Sequence, residues 1–191
     1  GGSNFFNNVA VGSYALHSNL TGDNTGIGFA ALYTNNSGAY NVACGSKALF
    51  SNTSAYANTA VGYSSLYYNT TGEYNVAMGF KTLYSNTTGS DNIAIGSYAL
   101  NGGQGSVHTG SMNIGIGYAS LLNLTTGDGN TATGVNSLFK TETASYNTAY
   151  GYNAMYNNVS GNGNTAIGSS SLYSNSVATN NTALGNTALY A

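Results

Sequence analysis

Hydrophobic and polar positions in this chain recur on one short cycle. Eleven times it writes Asn-x-Ala/Gly-x-Gly and then places Leu or Met four residues after the closing Gly. The closing glycines are Gly12, Gly28, Gly45, Gly62, Gly79, Gly96, Gly117, Gly134, Gly151, Gly168 and Gly185. Successive steps are 16 residues, then 17 four times, then 21, then 17 four times. A period this short predicts a solenoid, in which each repeat is one supersecondary unit that buries its apolar face only by stacking on its neighbours.

With that Gly numbered zero, position −4 is Asn in every repeat: Asn8, Asn24, Asn41, Asn58, Asn75, Asn92, Asn113, Asn130, Asn147, Asn164 and Asn181. Position −2 is Ala except at Gly26 and Gly115, position −3 is Val, Ile or Thr, and position −1 is usually aliphatic. Position +3 is Ala, Ser or Thr, position +4 is Leu or (once) Met155, and position +5 is aromatic in eight repeats, Tyr33, Phe50, Tyr67 and Tyr84 among them. Residues −4 to 0 alternate with strand periodicity. One face carries Asn, Ala and Gly and the other β-branched and aliphatic side chains; neither is charged, the pattern of a strand covered on both sides. On this reading the bulky −3/−1 face fills an apolar core, and the small −2/0 face lets a second layer or a second chain approach closely. Polar turns such as Asn69-Thr70-Thr71-Gly72 and Asn86-Thr87-Thr88-Gly89 separate the rungs, Gly supplying positive φ while Asn and Thr bond their own backbone.

Nothing recurs at 3.6 residues, and Asn, Thr, Tyr and Gly are poor helix formers. The expected fold is all-β: a parallel β-solenoid, a thin β-roll of about eleven 17-residue coils. Residues 1–191 form one repeat domain, a rod on the order of 50 Å long at ~4.8 Å per rung. At that spacing identical Asn amides can hydrogen-bond along the axis, so the −4 column reads as a structural ladder rather than a ligand site. The Leu column reads as core.

Composition narrows the function classes. Eight residues are charged and the net charge is −2, which excludes a nucleic-acid binder working by counterion release. Proline is absent, as expected of a chain that is mostly strand and tight turn. The single Cys44 takes a slot filled elsewhere by aliphatic residues and reads as a small buried hydrophobe. No run reaches the ~18 apolar residues of a membrane-spanning helix, so this segment is not expected to insert into a membrane. Neither end shows a recognisable cap, which suggests a piece of something longer. The acids Asp23, Glu73, Asp91, Asp128 and Glu142 lie in the inter-rung turns, where a solvated edge is a better reading than the facing carboxylates of a hydrolase. His17 and His108 are about five rungs apart and share no site. No catalytic residue, metal site or cofactor is expected, and the chain reads as a non-enzyme.

The segments Asn58-Thr59-Ala60-Val61-Gly62-Tyr63 and Leu83-Tyr84-Ser85-Asn86-Thr87-Thr88-Gly89 resemble the repeats of YadA-like head domains, found in trimeric autotransporter adhesins and tail-fibre-like surface proteins. The resemblance spans essentially residues 8–191. It implies a left-handed parallel β-roll, three chains around one axis, and an extracellular role in adhesion or display on a cell surface, virion or filament. The rung is longer here than in the best-known heads, the extra length lying in the Leu-Tyr and Asn-Thr-Thr-Gly part. The partners so implied are other copies of the chain, as homotrimer or filament, and a host-surface or glycan receptor.

Two local features remain. Asn-x-Ser/Thr sequons occur at Asn19, Asn35, Asn52, Asn69, Asn86, Asn123, Asn158 and Asn180, most of them at or near +7, and are candidate glycosylation sites. The 21-residue step contains a four-residue insertion within residues 101–112. An insertion in a solenoid is forced outward as a loop, and loops on rigid scaffolds often carry recognition. Gln104, Ser106 and His108 are the candidate binding residues of that loop. Two other functions fit the repeat: an end-to-end polymerising structural filament, and an ice-binding solenoid suggested by Thr25, Thr59, Thr131, Thr148, Thr165 and Thr182 at position −3.

Overall fold

The computed structural model describes residues 7–103 and 105–190. Eleven three-residue strands follow one another: β1 (Val9–Val11), β2 (Thr25–Ile27), β3 (Val42–Cys44), β4 (Thr59–Val61), β5 (Val76–Met78), β6 (Ile93–Ile95), β7 (Ile114–Ile116), β8 (Thr131–Thr133), β9 (Thr148–Tyr150), β10 (Thr165–Ile167) and β11 (Thr182–Leu184). They form one parallel sheet in strict chain order. The register repeats without slip, Thr59 opposite Val76 and Ala60 opposite Ala77, then Val76 opposite Ile93 and Ala77 opposite Ala94. The chain is therefore an all-β solenoid of stacked coils, with no helix among the described residues.

The second arm of each coil is not a regular strand, yet its backbone also pairs from rung to rung. Leu66 N–H donates to the Thr82 carbonyl at 3.0 Å and Tyr68 N–H to the Tyr84 carbonyl at 3.1 Å. This arm turns through left-handed backbone. Position +2 has φ of 49–60° and position +4, the Leu/Met column, has φ of 46–53° in all eleven rungs. L-residues there cost ~1–2 kcal/mol each relative to the right-handed region. Such residues persist where their surroundings over-determine them, and here the inter-rung bonds and the buried Leu side chains do so.

The strand face that points inward is the opposite of the one the sequence pattern suggested. The −2 residues Ala43, Ala60, Ala77, Ala94, Ala132, Ala149 and Ala166 are fully buried, packed against the Leu column. The −3 and −1 side chains point out: Val42, Met78, Ile95, Ile116 and Ile167 are each about two-fifths exposed. The reason is thickness. A rung only two thin arms wide is filled by Leu reaching from one arm, and nothing larger than Ala fits opposite it at native packing density. Hydroxyls that enter this core at +3 are satisfied locally; Ser65 Oγ donates to the Gly62 carbonyl at 3.2 Å and Ser171 Oγ to Gly168 at 2.8 Å.

The motif glycines serve the stacking itself. Gly117 has φ 129°, and a Cβ placed there would lie 2.6 Å from the carbonyl oxygen of Gly134 in the next rung. The small zero position thus admits the adjacent rung's backbone, rather than a second layer or chain.

Candidate functional site

The −4 amides form a continuous ladder. Asn75 is typical: its Nδ2 donates to Asn58 Oδ1 at 3.1 Å and to the Gly89 carbonyl at 2.9 Å. Its Oδ1 in turn accepts the backbone N–H of Asn92 at 3.0 Å and the Asn92 Nδ2 at 3.1 Å. The same pattern links Asn24, Asn41, Asn58, Asn75, Asn92, Asn113, Asn130, Asn147 and Asn164, all buried, with Asn8 and Asn181 partly buried at the two ends. Every donor and acceptor of a central link is used, which is what makes a fully buried polar column tolerable.

A second amide column stands beside the first, at +7. Asn86 Nδ2 donates to Asn69 Oδ1 at 2.7 Å and to the Gly89 carbonyl at 2.9 Å, so the turn carbonyl of Gly89 receives one amide from each column. The Asn-x-Ser/Thr pattern marks these asparagines as glycosylation candidates. Asn35, Asn52, Asn69, Asn86 and Asn158 are in fact fully buried, their amide nitrogens committed to turn carbonyls. A glycan on any of them would break the ladder, so those five are corrected to structural positions. Asn19 is partly buried, Asn123 donates to the Phe139 carbonyl at 2.8 Å, and Asn180 is exposed. The recurrence of Asn at +7 was the signal for this second ladder.

His108 belongs to the same column and not to an exposed loop, a second correction. It follows Gly96 by 12 residues, where Asn86 follows Gly79 by 7, so the extra chain lies just before it. The imidazole is fully buried, and its Nδ1 lies 2.8 Å from Asn86 Oδ1. An amide oxygen only accepts, so Nδ1 carries the proton and donates, and Nε2 is left as a buried acceptor without a partner. Burial lowers the His108 pKa to about 4, opposed in part by the charge of Asp128. After His108 the +7 column passes to Leu124 and Thr141 before Asn158 and Asn175 resume it.

The +5 aromatics stack as a further column on the outside of the second arm. Tyr33, Phe50 and Tyr67 lie face to face at 5.0 Å between ring centroids, and Tyr67 and Tyr84 at 5.3 Å. Asn101 and Leu122 then take the next two places, and the stack resumes with Phe139, Tyr156, Tyr173 and Tyr190. Where it stops lies a cleft of about 760 Å³ lined by residues that include Tyr68, Lys81, Tyr84, Tyr98, Asn101, Ser106 and Val107. Lys81 Nζ sits 5.2 Å from the Tyr84 ring centroid and 5.6 Å from that of Phe80. Burial, then a hydrogen bond with Tyr68, pushes the Tyr84 phenol up to about 12, so it stays neutral. Of the loop residues singled out from sequence, Ser106 faces this cleft, His108 lies in the core, and Gln104 falls outside the described residues.

Among the described residues no cluster of three His, Cys, Asp or Glu side chains could hold a metal ion, and no helix is long and apolar enough to cross a membrane. The chain matches no family model, and no curated protein or solved structure matches it.

Proposed function

We propose that the chain is a non-catalytic segment of an extracellular fibre or adhesin head, a left-handed β-roll working as a homotrimer for display and attachment. The observation that carries this is the outward −3/−1 face. Val9, Val11, Ile27, Val42, Met78, Ile93, Ile95, Ile116, Tyr150, Ile167 and Leu184 are all exposed on one sheet. A stripe two side chains wide and ~48 Å long covers on the order of 500 Å², at the upper end of what a monomer leaves in water. The stripe carries no charge along its length, so identical copies can meet on it without burying an ion. The continuous register and the two amide columns make each copy stiff enough to present a surface at a distance.

Sedimentation of the chain at micromolar concentration tests this: a trimer is expected, and Ile95→Lys with Ile116→Lys should dissociate it. A folded monomer that survives dilution would overturn the trimeric reading. Negative-stain microscopy of the same sample discriminates the filament reading, which requires long end-joined rods. Ice binding is disfavoured because Val9, Val42, Val76, Ile93 and Ile114 interrupt the Thr column.

A further inference from the structure

The cleft at Lys81 lies beside the 21-residue step that interrupts the repeat, and several independent features meet there. The Tyr84 ring is stacked by Tyr67 on one side at 5.3 Å. On the other side the +5 place belongs to Asn101, whose Nδ2 turns away to the Lys81 carbonyl at 2.8 Å. The aromatic column therefore ends with no aromatic neighbour on that side of Tyr84. The Tyr68 ring crosses Tyr84 edge-on at 5.2 Å. Tyr98 lines the cleft as well, and short hydroxyl and amide groups surround the rings: Ser51, Thr70, Ser85 and Thr87 together with Asn101. The lining is thus tyrosine rings bordered by small hydrogen-bonding groups, in a volume of about 760 Å³, within the range of small-molecule sites.

Charge narrows the ligand. Lys81 is the only charged residue among the described residues of the lining, and no carboxylate lies with it. One ammonium held against aromatic faces suits one anionic group. A phosphate-rich ligand calls for several cations or a backbone N–H cradle. A peptide strand would need an open sheet edge, whereas the flanking backbone is already paired rung to rung, as in Ser85 N–H to the Asn101 carbonyl at 3.1 Å. A pyranose carrying a carboxylate meets both requirements. It offers a C–H face to a tyrosine ring, hydroxyls to the Ser and Thr side chains, and a carboxylate to Lys81 Nζ.

We propose that this cleft binds the end of a saccharide chain bearing a carboxylate, of the hexuronic- or sialic-acid type, with Tyr84 and Tyr98 as stacking surfaces and Lys81 as the anion contact. The inference deepens the attachment reading above by giving the rod a ligand, and its test scores assembly separately so that the two can fail apart.

The test is titration calorimetry of the whole chain with oligosaccharides ending in glucuronic or sialic acid, and with the same sugars after reduction of the carboxyl to an alcohol. Binding of the acidic sugars is expected, weakened about tenfold or more by carboxyl reduction or by Lys81→Met, and retained within about threefold by Lys81→Arg. Tyr98→Ala should also weaken it about tenfold or more. Sedimentation and thermal unfolding of each variant establish that fold and assembly are intact. If the folded, assembled chain binds none of these sugars, or binds acidic and reduced forms equally and ignores Lys81→Met, the proposal is overturned.

Discussion

Replacing Asn75 by Ala removes one link from the middle of the −4 ladder and leaves the backbone of its rung in place. Four hydrogen bonds disappear: Nδ2 to Asn58 Oδ1, Nδ2 to the Gly89 carbonyl, and the two that Asn92 donates to Asn75 Oδ1. Asn58 Oδ1 keeps the Asn75 N–H at 3.0 Å, and Gly89 keeps the amide of Asn86. The Asn92 N–H, buried in the stack, loses its acceptor altogether. At ~1 kcal/mol net per bond, with the orphaned N–H at the costly end of its range, the expected loss is about 4 kcal/mol. Asn181→Ala is the matched control, because among the described residues that side chain makes a single bond, to Asn164 Oδ1 at 3.0 Å; its removal should cost about 1 kcal/mol. Urea unfolding followed by far-UV circular dichroism at one fixed protein concentration measures both, the fixed concentration removing the mass-action contribution of assembly. Equal destabilisation by the two variants would refute the reasoning, since it would mean that the internal amide bonds contribute nothing beyond the loss of side-chain packing. Asn75→Asp adds a sign test. The introduced oxygen in place of Nδ2 faces two acceptors, so the folded state holds the carboxyl protonated and its pKa lies above the unfolded ~3.9. Stability of that variant is then greatest below pH ~3.9 and declines as pH rises through the folded value.

The remaining predictions follow from single contacts. Gly117→Ala and Gly185→Ala both force Ala to a φ above 120°, but only the first drives a Cβ into the next rung, Gly185 having nothing within 4 Å. Chemical denaturation should give ~1–3 kcal/mol for Gly185→Ala and at least that much more for Gly117→Ala; similar values for the two would mean that backbone strain alone explains the glycine column. His108 titrates at about 4 when folded, against 6.5 ordinarily, so the unfolded chain takes up the proton first as pH falls. Its contribution, roughly 3 kcal/mol, is complete above pH 6.5 and is lost between there and about pH 4. His108→Asn should remove that slope from the denaturation midpoint measured between pH 7.5 and 4.5, and an unchanged slope would show that other groups carry it. The Ile95→Lys, Ile116→Lys pair should release monomers in sedimentation, and Lys81→Met should lose acidic saccharides in calorimetry without changing the sedimentation profile.

Much of the rung is legible in the sequence. Asn at −4 and Gly at zero recur in every rung, Ala at −2 gives way only at Gly26 and Gly115 and Leu at +4 only at Met155, and a column that varies so little in a stacked repeat has to occupy one environment. Facing was less legible. Alternation reports which residues share a side of a strand, but not which side is inside, and the larger aliphatic residues were assigned to the core by size. In a rung this thin the smaller set goes in, because Leu from the opposite arm already fills the space. The +7 asparagines were visible as a recurrence, yet an Asn in a turn reads the same from sequence whether its amide faces water or a buried carbonyl. The left-handed Leu column left no trace, since Leu has no preference for that backbone and only the packing holds it there.

By itself, then, the sequence determined the period, the all-β parallel stack, the amide ladder and the position of the lengthened step, because each follows from identical residues repeating at the spacing of hydrogen-bonded rungs. Tertiary structure alone decided which face became surface, that His108 entered the core, and that Tyr68, Lys81, Tyr84 and Tyr98 border one cleft beside the inserted segment. Those outcomes depend on how much volume two closely stacked arms enclose and on where an insertion is pushed when the enclosed volume is already full, and neither quantity is written in any single rung.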